Sequence, residues 1–338
     1  MNNFPVLDTF KRPLRDLRIS VTDRCNFRCP YCMPAEIFGD RYQFLPREDL
    51  LTFEEITRIV RITVGLGVTK VRITGGEPLV RQNIEELVAM IAAVDGVSDL
   101  AMTTNAYLLS GYAEKLKDAG LKRITVSLDS LEDEIFQKMN GRGFSTARVL
   151  DGIRVAKEVG LEPIKINAVV QKGVNDKTLV NLAEWCRDNG HTPRFIEYMD
   201  VGTLNDWKLE EVLTAEEIVQ LIEQKFPAEP IGPTYPGEVA KRYKYRDGNG
   251  EFGVISSVSQ PFCGDCTRMR ISPEGKSVTC LFAESGTDLR DSLRNGSTDD
   301  EIKRAIIGIW GSRKDRYSEQ RSEETVKRKK VEMYHIGG

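Results

Sequence analysis

The sequence has no long apolar run, no excess of charge of one sign, and only two histidines. Its longest clean apolar stretch, Leu87–Val94, falls far short of the roughly 18 residues that a membrane-spanning helix requires. Lys plus Arg number 48 against 51 Asp plus Glu, and the net charge of -3 argues against a general nucleic-acid binder. Residues Met1–Pro13 contain no apolar signal-peptide core. We therefore expect a cytoplasmic protein with neither a membrane nor a nucleic acid as its partner.

The rest of the composition is that of a folded protein. With 338 residues the chain has the length of one large domain or two ordinary ones. Hydrophobic residues make up 40% of the chain and charged residues 29%, which is enough apolar material for a core. These values do not by themselves indicate a function.

Cysteine is the first informative residue type. Six of the seven cysteines form two triplets, which are Cys25, Cys29 and Cys32, and then Cys263, Cys266 and Cys280. Disulfides are not expected in a reducing compartment, so clustered thiols indicate metal binding. The seventh cysteine, Cys186, falls in a helical pattern, where we expect it to be a small buried residue.

The spacing of the triplets bears on which metal they bind. Each triplet supplies three ligands, whereas a structural zinc site takes four. The two histidines, His191 and His335, lie far from both triplets in sequence. Iron–sulfur clusters are also held by thiolates, and a cubane bound by three cysteines keeps one iron free for another ligand. The pattern favours two such clusters, and zinc with a distant fourth ligand is the alternative for each triplet.

The first two-thirds of the chain alternates β-rich runs with helical patterns. The predicted strands are Leu17–Thr22, Lys70–Thr74, Leu100–Thr104, Arg123–Leu128, Ile164–Val170 and Arg194–Met199. The predicted helices are Phe53–Leu66, Ile84–Val94, Tyr112–Ala119, Thr146–Val159 and Asp176–Asp188. Such alternation implies parallel strands with right-handed crossovers. We expect an α/β fold, an incomplete (β/α)6 TIM-like barrel, with an open doubly wound sheet as the alternative.

The pattern changes at about Val201. Prolines punctuate residues 227–236, a Gly-rich and β-like run continues to Cys280, and a helix is predicted over Asp299–Trp310. We expect residues 1–200 to form the barrel and residues 201–338 to form a C-terminal cluster-binding cap. The basic run Lys327–Lys330 is typical of a solvated face.

Polar and apolar side chains alternate along the predicted strands. Side chains alternate between the two faces of a strand, and the outer face of such a barrel must pack on helices. The polar face should therefore point inward, where ordinary barrels carry branched aliphatic residues. It bears the cations Arg18, Lys70, Arg72, Arg123 and Lys165. A polyanionic ligand would compensate these charges, and local salt bridges with Asp16, Asp129 and Glu197 are the alternative.

Two motifs at the ends of predicted strands point to a family. Cys25-Asn26-Phe27-Arg28-Cys29-Pro30-Tyr31-Cys32 follows the first strand, and Gly75-Gly76-Glu77-Pro78 follows the second. Together they resemble the radical S-adenosylmethionine (SAM) superfamily. The resemblance implies a 4Fe–4S cluster on the first triplet whose open iron binds SAM and whose electron cleaves it to a 5'-deoxyadenosyl radical. It also implies SAM contacts from Tyr31, Gly76, Ser127 and Met199.

The second triplet narrows the resemblance. Cys263-Gly264-Asp265-Cys266-Thr267-Arg268-Met269-Arg270, then Cys280 and a terminal Gly337-Gly338, are similar to the GTP 3',8-cyclase family of molybdenum-cofactor biosynthesis, with likeness from about Arg12 onward. This implies a second 4Fe–4S cluster on Cys263, Cys266 and Cys280 that faces the guanine. It implies GTP contacts from Arg18, Lys70, Arg72, Thr103, Lys165, Arg268 and Arg270.

The same resemblance implies a reaction and partners. The radical would take hydrogen from C3' of the GTP ribose, and C3' would then bond to C8 of guanine. An electron donor, the downstream cyclic pyranopterin monophosphate synthase and a second copy of the chain are the implied partners. No general acid or base is assignable from the sequence, and Gly337-Gly338 could enter the cavity. Another radical SAM enzyme with an auxiliary cluster, such as a peptide maturase, and a zinc-binding module are the alternatives.

Overall fold

The computed structural model describes residues 5–337. Its first part alternates strands and helices. The strands are β1 (Asp16–Ser20), β2 (Lys70–Thr74), β3 (Asp99–Thr104), β4 (Arg123–Ser127), β5 (Lys165–Val170) and β6 (Thr192–Glu197). The helices are α1 (Phe53–Val64), α2 (Ile84–Ala92), α3 (Ala113–Asp118), α4 (Asp133–Asn140), α5 (Ala147–Glu158) and α6 (Leu179–Asp188). All six predicted strands and all five predicted helices are confirmed in type, with ends that shift by a few residues.

The helix α4 was not predicted. It spans Asp133–Asn140, and only Phe136, Met139 and Asn140 are buried along it. A single turn of apolar residues in an acidic and polar stretch carries too little periodicity to predict a helix. By contrast, α1 begins with a capping box, in which Glu55 N donates to Thr52 Oγ1 at 3.2 Å and Thr52 N donates to Glu55 Oε2 at 2.8 Å.

The C-terminal region adds strands to both sides of the same sheet. Its strands are β7 (Ala228–Ile231), β8 (Lys241–Tyr245), β9 (Glu251–Ile255), β10 (Arg268–Ile271), β11 (Lys276–Val278) and β12 (Thr287–Asp288). Its helices are α7 (Ala215–Glu223), α8 (Arg290–Arg294), α9 (Asp299–Gly311), α10 (Glu323–Val326) and α11 (Met333–Ile336). The strand β9 pairs with β6, and β10 pairs with β1, both in parallel.

The resulting sheet has 12 strands in the order β12-β11-β10-β1-β2-β3-β4-β5-β6-β9-β8-β7. The section from β10 to β9 is parallel throughout, and the antiparallel pairs lie at the two edges. The edges do not join, so the incomplete barrel is confirmed. Because the carboxyl ends of parallel strands share one rim, the loops after β1, β2, β3 and β4 come together there.

The apolar side chains of the strands form one core with the helices. Leu17, Val71 and Ile124 are fully buried, and so is Cys186 on α6, as predicted. The alternate residues of the same strands carry the polar and charged side chains. Among the described residues, no helix combines the length and the apolar character needed to cross a membrane.

Candidate active site

Two adjoining cavities lie within the barrel. The first cavity, of about 930 Å³, is lined by Cys25, Cys29 and Cys32. The second cavity, of about 900 Å³, is lined by Cys263, Cys266 and Cys280. Asn167 and Ile196 line both cavities. The fold therefore places the two cysteine triplets, which are more than 200 residues apart in sequence, on a shared interior.

The first triplet is carried by a loop that is tied down on both sides. Within it, Cys32 N and Met33 N donate to the Cys29 carbonyl at 2.9 and 2.8 Å. Arg28 N donates to the Asn140 carbonyl at 2.8 Å, which ties the loop to the end of α4. Phe27 is buried against Tyr107 and Phe136 with ring centroids 5.9 and 6.0 Å away. These contacts aim the three thiols at the cavity.

The thiols of the first triplet are suited to a metal and poorly suited to remain free ions. Burial, reinforced by Glu77, raises the pKa of Cys25 to about 12. A buried thiolate therefore needs a cationic group beside it, and iron supplies that charge. Within residues 5–337 no three Cys, His, Asp or Glu side chains converge closely enough for a single metal ion. Three thiols that ring a cavity instead fit a multi-iron cluster.

The Gly75-Gly76-Glu77 segment forms the adjacent wall of the first cavity. A Cβ on Gly76 would overlap the Arg24 carbonyl, so only glycine allows this loop to lie against the cysteine loop. Glu77 is buried, and its carboxylate accepts from Thr104 Oγ1 and Asn105 N, both at 2.7 Å. Burial raises the pKa of Glu77 to about 7. A cationic group in this cavity would stabilise the ionised carboxylate.

The structure places the residues predicted to contact SAM in two different cavities. Tyr31, Gly76 and Ser127 line the first cavity, whereas Met199 lines the second. The Tyr31 hydroxyl donates to Asp129 Oδ2 at 2.8 Å, and Val169 N donates to Asp129 Oδ1 at 2.9 Å.

The residues predicted to contact GTP also lie in different places: some line the second cavity, one lines the first, and two line neither. Arg18, Arg72, Arg268 and Arg270 line the second cavity. Thr103 lines the first. Lys70 and Lys165 begin β2 and β5, near the opposite end of the barrel, and line neither cavity. The Lys70 Nζ atom lies 2.7 Å from the Tyr235 hydroxyl.

Strand register explains why the arginines of the second cavity meet. Arg18 on β1 pairs with Arg72 on β2 and with Arg270 on β10, so their side chains share the inner face. All three are at most 8% exposed. Burial and the neighbouring Arg270 and Arg72 hold the pKa of Arg18 well below its usual range. The wall is thus an uncompensated cluster of like charges.

The nearby carboxylates form ion pairs with other cations of the inner face and not, among the described residues, with Arg18, Arg72 or Arg270. Asp16 lies 4.0 Å and Asp99 lies 3.8 Å from Lys70 Nζ, and Asp99 also pairs with Arg123 at 2.7 Å. The alternative expectation of salt bridges from Asp129 and Glu197 is wrong: in residues 5–337 neither carboxylate makes an ion pair. Asp129 accepts from Tyr31 as described above, and Glu197 accepts from backbone N–H groups such as Ala215 N at 2.7 Å.

Several polar atoms of this interior have no partner among the described residues. The buried Nε–H groups of Arg18, Arg72, Arg194 and Arg268 donate to no protein acceptor, and Thr103 Oγ1 and Asn167 Oδ1 likewise have no hydrogen-bond partner. Buried polar groups are normally paired, since an unpaired one costs about 1–3 kcal/mol. An anion with several oxygens would satisfy the guanidinium groups together.

The second triplet is surrounded by arginines. Arg268 Nη2 lies 3.4 Å and Arg313 Nη2 lies 3.2 Å from Cys266 Sγ. Burial opposes ionisation of this thiol, but Arg268 and Arg313 outweigh it and lower the pKa of Cys266 to about 6. Burial and Asp315 instead raise the pKa of Cys280 to about 12. The Cys266 thiolate is thus ready for a metal, and Cys280 becomes a ligand when a cation joins it.

The C-terminal segment runs along both cavities. Met333 and Tyr334 line the first cavity, and the Tyr334 hydroxyl lies 3.0 Å from that of Tyr42. The Gly337 carbonyl accepts a hydrogen bond from Arg270 Nη1. That Gly337-Gly338 enters the cavity stays a prediction: Gly337 lies against Thr74 and Arg270, which line the two cavities, and Gly338 lies outside the described residues.

A Gly337→Ala substitution should displace this segment and reduce turnover at least about tenfold. Gly337 has φ +70°, a conformation that costs an L-residue about 1–2 kcal/mol, and an added Cβ would overlap Thr74 Cγ2. The rate of product formation under saturating substrates measures the effect. Gly308→Ala on α9, where an added Cβ meets nothing within 4 Å, is the matched control and should retain full activity.

Three residues of the interior were not predicted from the sequence. Arg194 on β6 lines the second cavity, with Nη2 3.2 Å from Thr125 Oγ1. Its alternation with the buried Phe195 along the strand is the signal that could have found it. Asn105 Nδ2 donates to Asn26 Oδ1 at 2.8 Å beside the first triplet, and Arg313 contacts Cys266. No local pattern marks these two.

Comparisons with known proteins agree with this arrangement. Residues 19–186 match the family model of the radical SAM superfamily, and residues 191–319 match that of Molybdenum Cofactor Synthesis C. The fold is also similar to the crystal structure of Streptococcus suis SuiB bound to S-adenosylmethionine. That match has a TM-score of 0.61 and 18% identity, and covers 91% of this chain and 66% of that chain. At this identity it shows the fold alone.

Curated relatives are similar over almost the whole chain. The GTP 3',8-cyclase of Staphylococcus haemolyticus (strain JCSC1435) is 50% identical over 337 residues, which cover 98% of this chain and 99% of the relative. The GTP 3',8-cyclase of Acidothermus cellulolyticus is 54% identical over 322 residues, which cover 94% and 89%. With two cysteine triplets on one barrel interior and relatives of this identity and coverage, the chain belongs to the GTP 3',8-cyclase family of radical SAM proteins.

Proposed function

We propose that this chain converts GTP to (8S)-3',8-cyclo-7,8-dihydroguanosine 5'-triphosphate, the first step of molybdenum cofactor biosynthesis. The observation that carries the proposal is the wall of buried arginines along the second cavity, in which the Nε–H groups of Arg18, Arg72, Arg194 and Arg268 have no partner among the described residues. This wall adjoins two cavities that each present three thiols. A nucleoside triphosphate offers the charge and the oxygens that this wall lacks. A peptide backbone offers carbonyl oxygens but no negative charge.

The first cavity would hold the SAM cofactor and its 4Fe–4S cluster. Cys25, Cys29 and Cys32 would bind the cluster, which together with SAM supplies a 5'-deoxyadenosyl radical for hydrogen abstraction. The Glu77 carboxylate, buried beside these thiols, has the charge to receive the SAM ammonium group. Tyr31, held by Asp129, and Ser127 lie on the remaining wall.

The second cavity would hold GTP. Arg18, Arg72, Arg268 and Arg270 present planar donors that match phosphate oxygens, and we add Arg194 to this set because it shares their wall. Lys70 and Lys165 lie deeper in the barrel, where burial lowers the pKa of each to about 8. A triphosphate reaching them would favour their charged forms. Thr103 lines the first cavity, and Met199 lines the second.

The chain's own task in this reaction is positioning. Ring closure needs the ribose C3' to lie beside both the hydrogen acceptor and the guanine C8, and a fixed triphosphate restricts that motion. The shared wall at Asn167 and Ile196 is where the two cavities adjoin, so the ribose would lie there. The tail segment 333–337 would limit the access of water to this region.

A second 4Fe–4S cluster would be held by Cys263, Cys266 and Cys280. Arginine donors at Cys266 suit a thiolate-bound cluster, and the cluster would face the guanine from the GTP cavity. Residues 1–200 would then form the radical SAM unit, and residues 201–338 the auxiliary-cluster and substrate-binding region.

Partners follow from this chemistry. The cluster of the first cavity requires an electron donor, and the cyclic product requires the downstream cyclic pyranopterin monophosphate synthase. We also propose a homodimer. Free thiols and oxygen-sensitive clusters persist in a reducing compartment, which supports the cytoplasm as the location.

Anaerobic reconstitution with iron and sulfide tests the proposal. We expect about eight irons per chain, as two cubane clusters require, and 5'-deoxyadenosine that forms only when dithionite, SAM and GTP are all present. Mass analysis of the nucleotide identifies the cyclised product. About four irons with SAM cleavage indifferent to GTP would indicate a radical SAM enzyme with another substrate. A chain that binds zinc and no iron would contradict the proposal entirely.

A further inference from the structure

A buried group of three charged side chains adjoins the second cysteine triplet, and its two arginines also line the second cavity. The Asp8 carboxylate lies between two guanidinium groups, 2.5 Å from Arg12 Nε and 3.4 Å from Arg313 Nη1. The side chains of all three residues are at most 3% exposed. We refer to these residues as the Arg12–Asp8–Arg313 triad.

The triad joins the two ends of the chain. Asp8 and Arg12 belong to a short hairpin that is closed by the bridge between Leu7 and Pro13. Arg313 follows α9, and its backbone carbonyl accepts from Thr9 Oγ1 at 2.6 Å. The N-terminal hairpin and the end of α9 are thus locked together beside the cysteine loop.

The two arginines of the triad make different contacts with that loop. Arg12 Nη1 donates to the Cys263 carbonyl at 2.7 Å and contacts only backbone there. Arg313 Nη1 donates to the Cys266 carbonyl at 2.7 Å, and its Nη2 donates to Cys266 Sγ at 3.2 Å. Arg12 therefore holds the loop, whereas Arg313 also reaches a sulfur atom.

A hydrogen bond to a ligand sulfur has an electronic consequence. It draws negative charge from the thiolate, and hydrogen bonds to sulfur are among the factors that set the reduction potential of an iron–sulfur cluster. A cluster that gains one electron becomes more negative, so the donor stabilises the reduced form more than the oxidised form. The buried positive charge of Arg313 acts in the same direction.

We propose that Arg313 is a positioning residue that raises the reduction potential of the second cluster through its hydrogen bond to Cys266 Sγ, and that Asp8 holds Arg313 in place. This rests on the proposed second cluster. The step concerned is the uptake of one electron by the oxidised cluster, which dithionite supplies in the experiment below.

The experiment isolates the second cluster in the full chain. Cys25, Cys29 and Cys32 are replaced with serine, the protein is reconstituted with iron and sulfide, and the midpoint potential is read by electron paramagnetic resonance at poised potentials. This parent is expected to hold about four irons. Arg313→Gln in this background should lower the midpoint by at least about 59 mV, which is a tenfold change for one electron.

The matched control is Arg12→Lys, which disturbs the same triad without touching sulfur. It should lower thermal stability and leave the midpoint at the parent value. A midpoint that is unchanged in Arg313→Gln, or shifted equally in Arg12→Lys, would overturn the proposal, since only a structural role would remain.

Two further outcomes are also decisive. If Arg313→Gln loses its iron, Arg313→Lys replaces it: lysine lacks the planar fork by which Arg313 places separate donors on the Cys266 carbonyl and on Sγ, so a midpoint below the parent value is expected and a parent-like midpoint rejects the role. If the parent with intact Arg313 holds no iron while the unmodified chain holds about four, the second cluster itself is absent and the proposed function fails at that point.

Discussion

Replacing Arg268 and Arg270 together with alanine should weaken GTP binding by about 10²- to 10⁴-fold. Each hydrogen bond to a charged group contributes about 1.5–3 kcal/mol, and every 1.4 kcal/mol corresponds to about tenfold in affinity. Both side chains project from the inner face of β10 and line the second cavity, so their loss removes two hydrogen-bond donors from one wall. Anaerobic titration calorimetry of the reconstituted enzyme with GTP measures the change.

The control for this variant is Arg154→Ala. Arg154 lies on the outer face of α5 with a side chain that is 58% exposed, and its loss should leave the affinity for GTP unchanged. Because Arg268 also contacts Cys266 Sγ, the iron content of every sample must be measured alongside. If the double variant retains its iron and binds GTP as tightly as the unmodified enzyme, the second cavity is not the substrate site.

The other large effect is expected for Cys25→Ser, which should abolish SAM cleavage. The serine hydroxyl does not ionise near neutral pH and so cannot replace the thiolate ligand of iron. The two triplets lie on separate loops, and their cavities share only Asn167 and Ile196 among the lining residues. We therefore expect about four of about eight irons to remain, with the visible absorbance of the second cluster. 5'-Deoxyadenosine formation and iron analysis measure both parts.

Cys186→Ala provides the control for cysteine substitution. Cys186 is fully buried on α6 and lines neither cavity, so this variant should keep both its iron and its SAM cleavage. Loss of all absorbance in Cys25→Ser would contradict the independence of the two clusters. Retention of SAM cleavage in that variant would remove Cys25 from the set of cluster ligands.

Local patterns in the sequence were sufficient to predict which side chains lie on the inner face of the barrel. The alternation of Arg18 with Ile19 and of Arg72 with Ile73 is a property of the extended chain, in which successive side chains point to opposite faces. Once the outer face is apolar, the cations have to point inward. The same reasoning could have found Arg194, and it failed for α4 because that helix has too few apolar residues to show a period.

Spacing along the chain also determined the first cysteine triplet and the Gly75-Gly76 turn, because residues on one short loop are neighbours in any fold. In the second triplet, Cys280 returns to Cys263 and Cys266 because β10 and β11 between them pair antiparallel. Tertiary structure alone decided which distant groups surround them. Asp8 and Arg313 meet across 305 residues of sequence, and Gly337 lies against Thr74 and Arg270. Asp99, rather than Asp129 or Glu197, partly neutralises the cations of the inner face, and this pairing likewise depends on strand register. Contacts of this kind arise from the packing of whole strands and loops, and no local sequence pattern encodes the partner of such a residue.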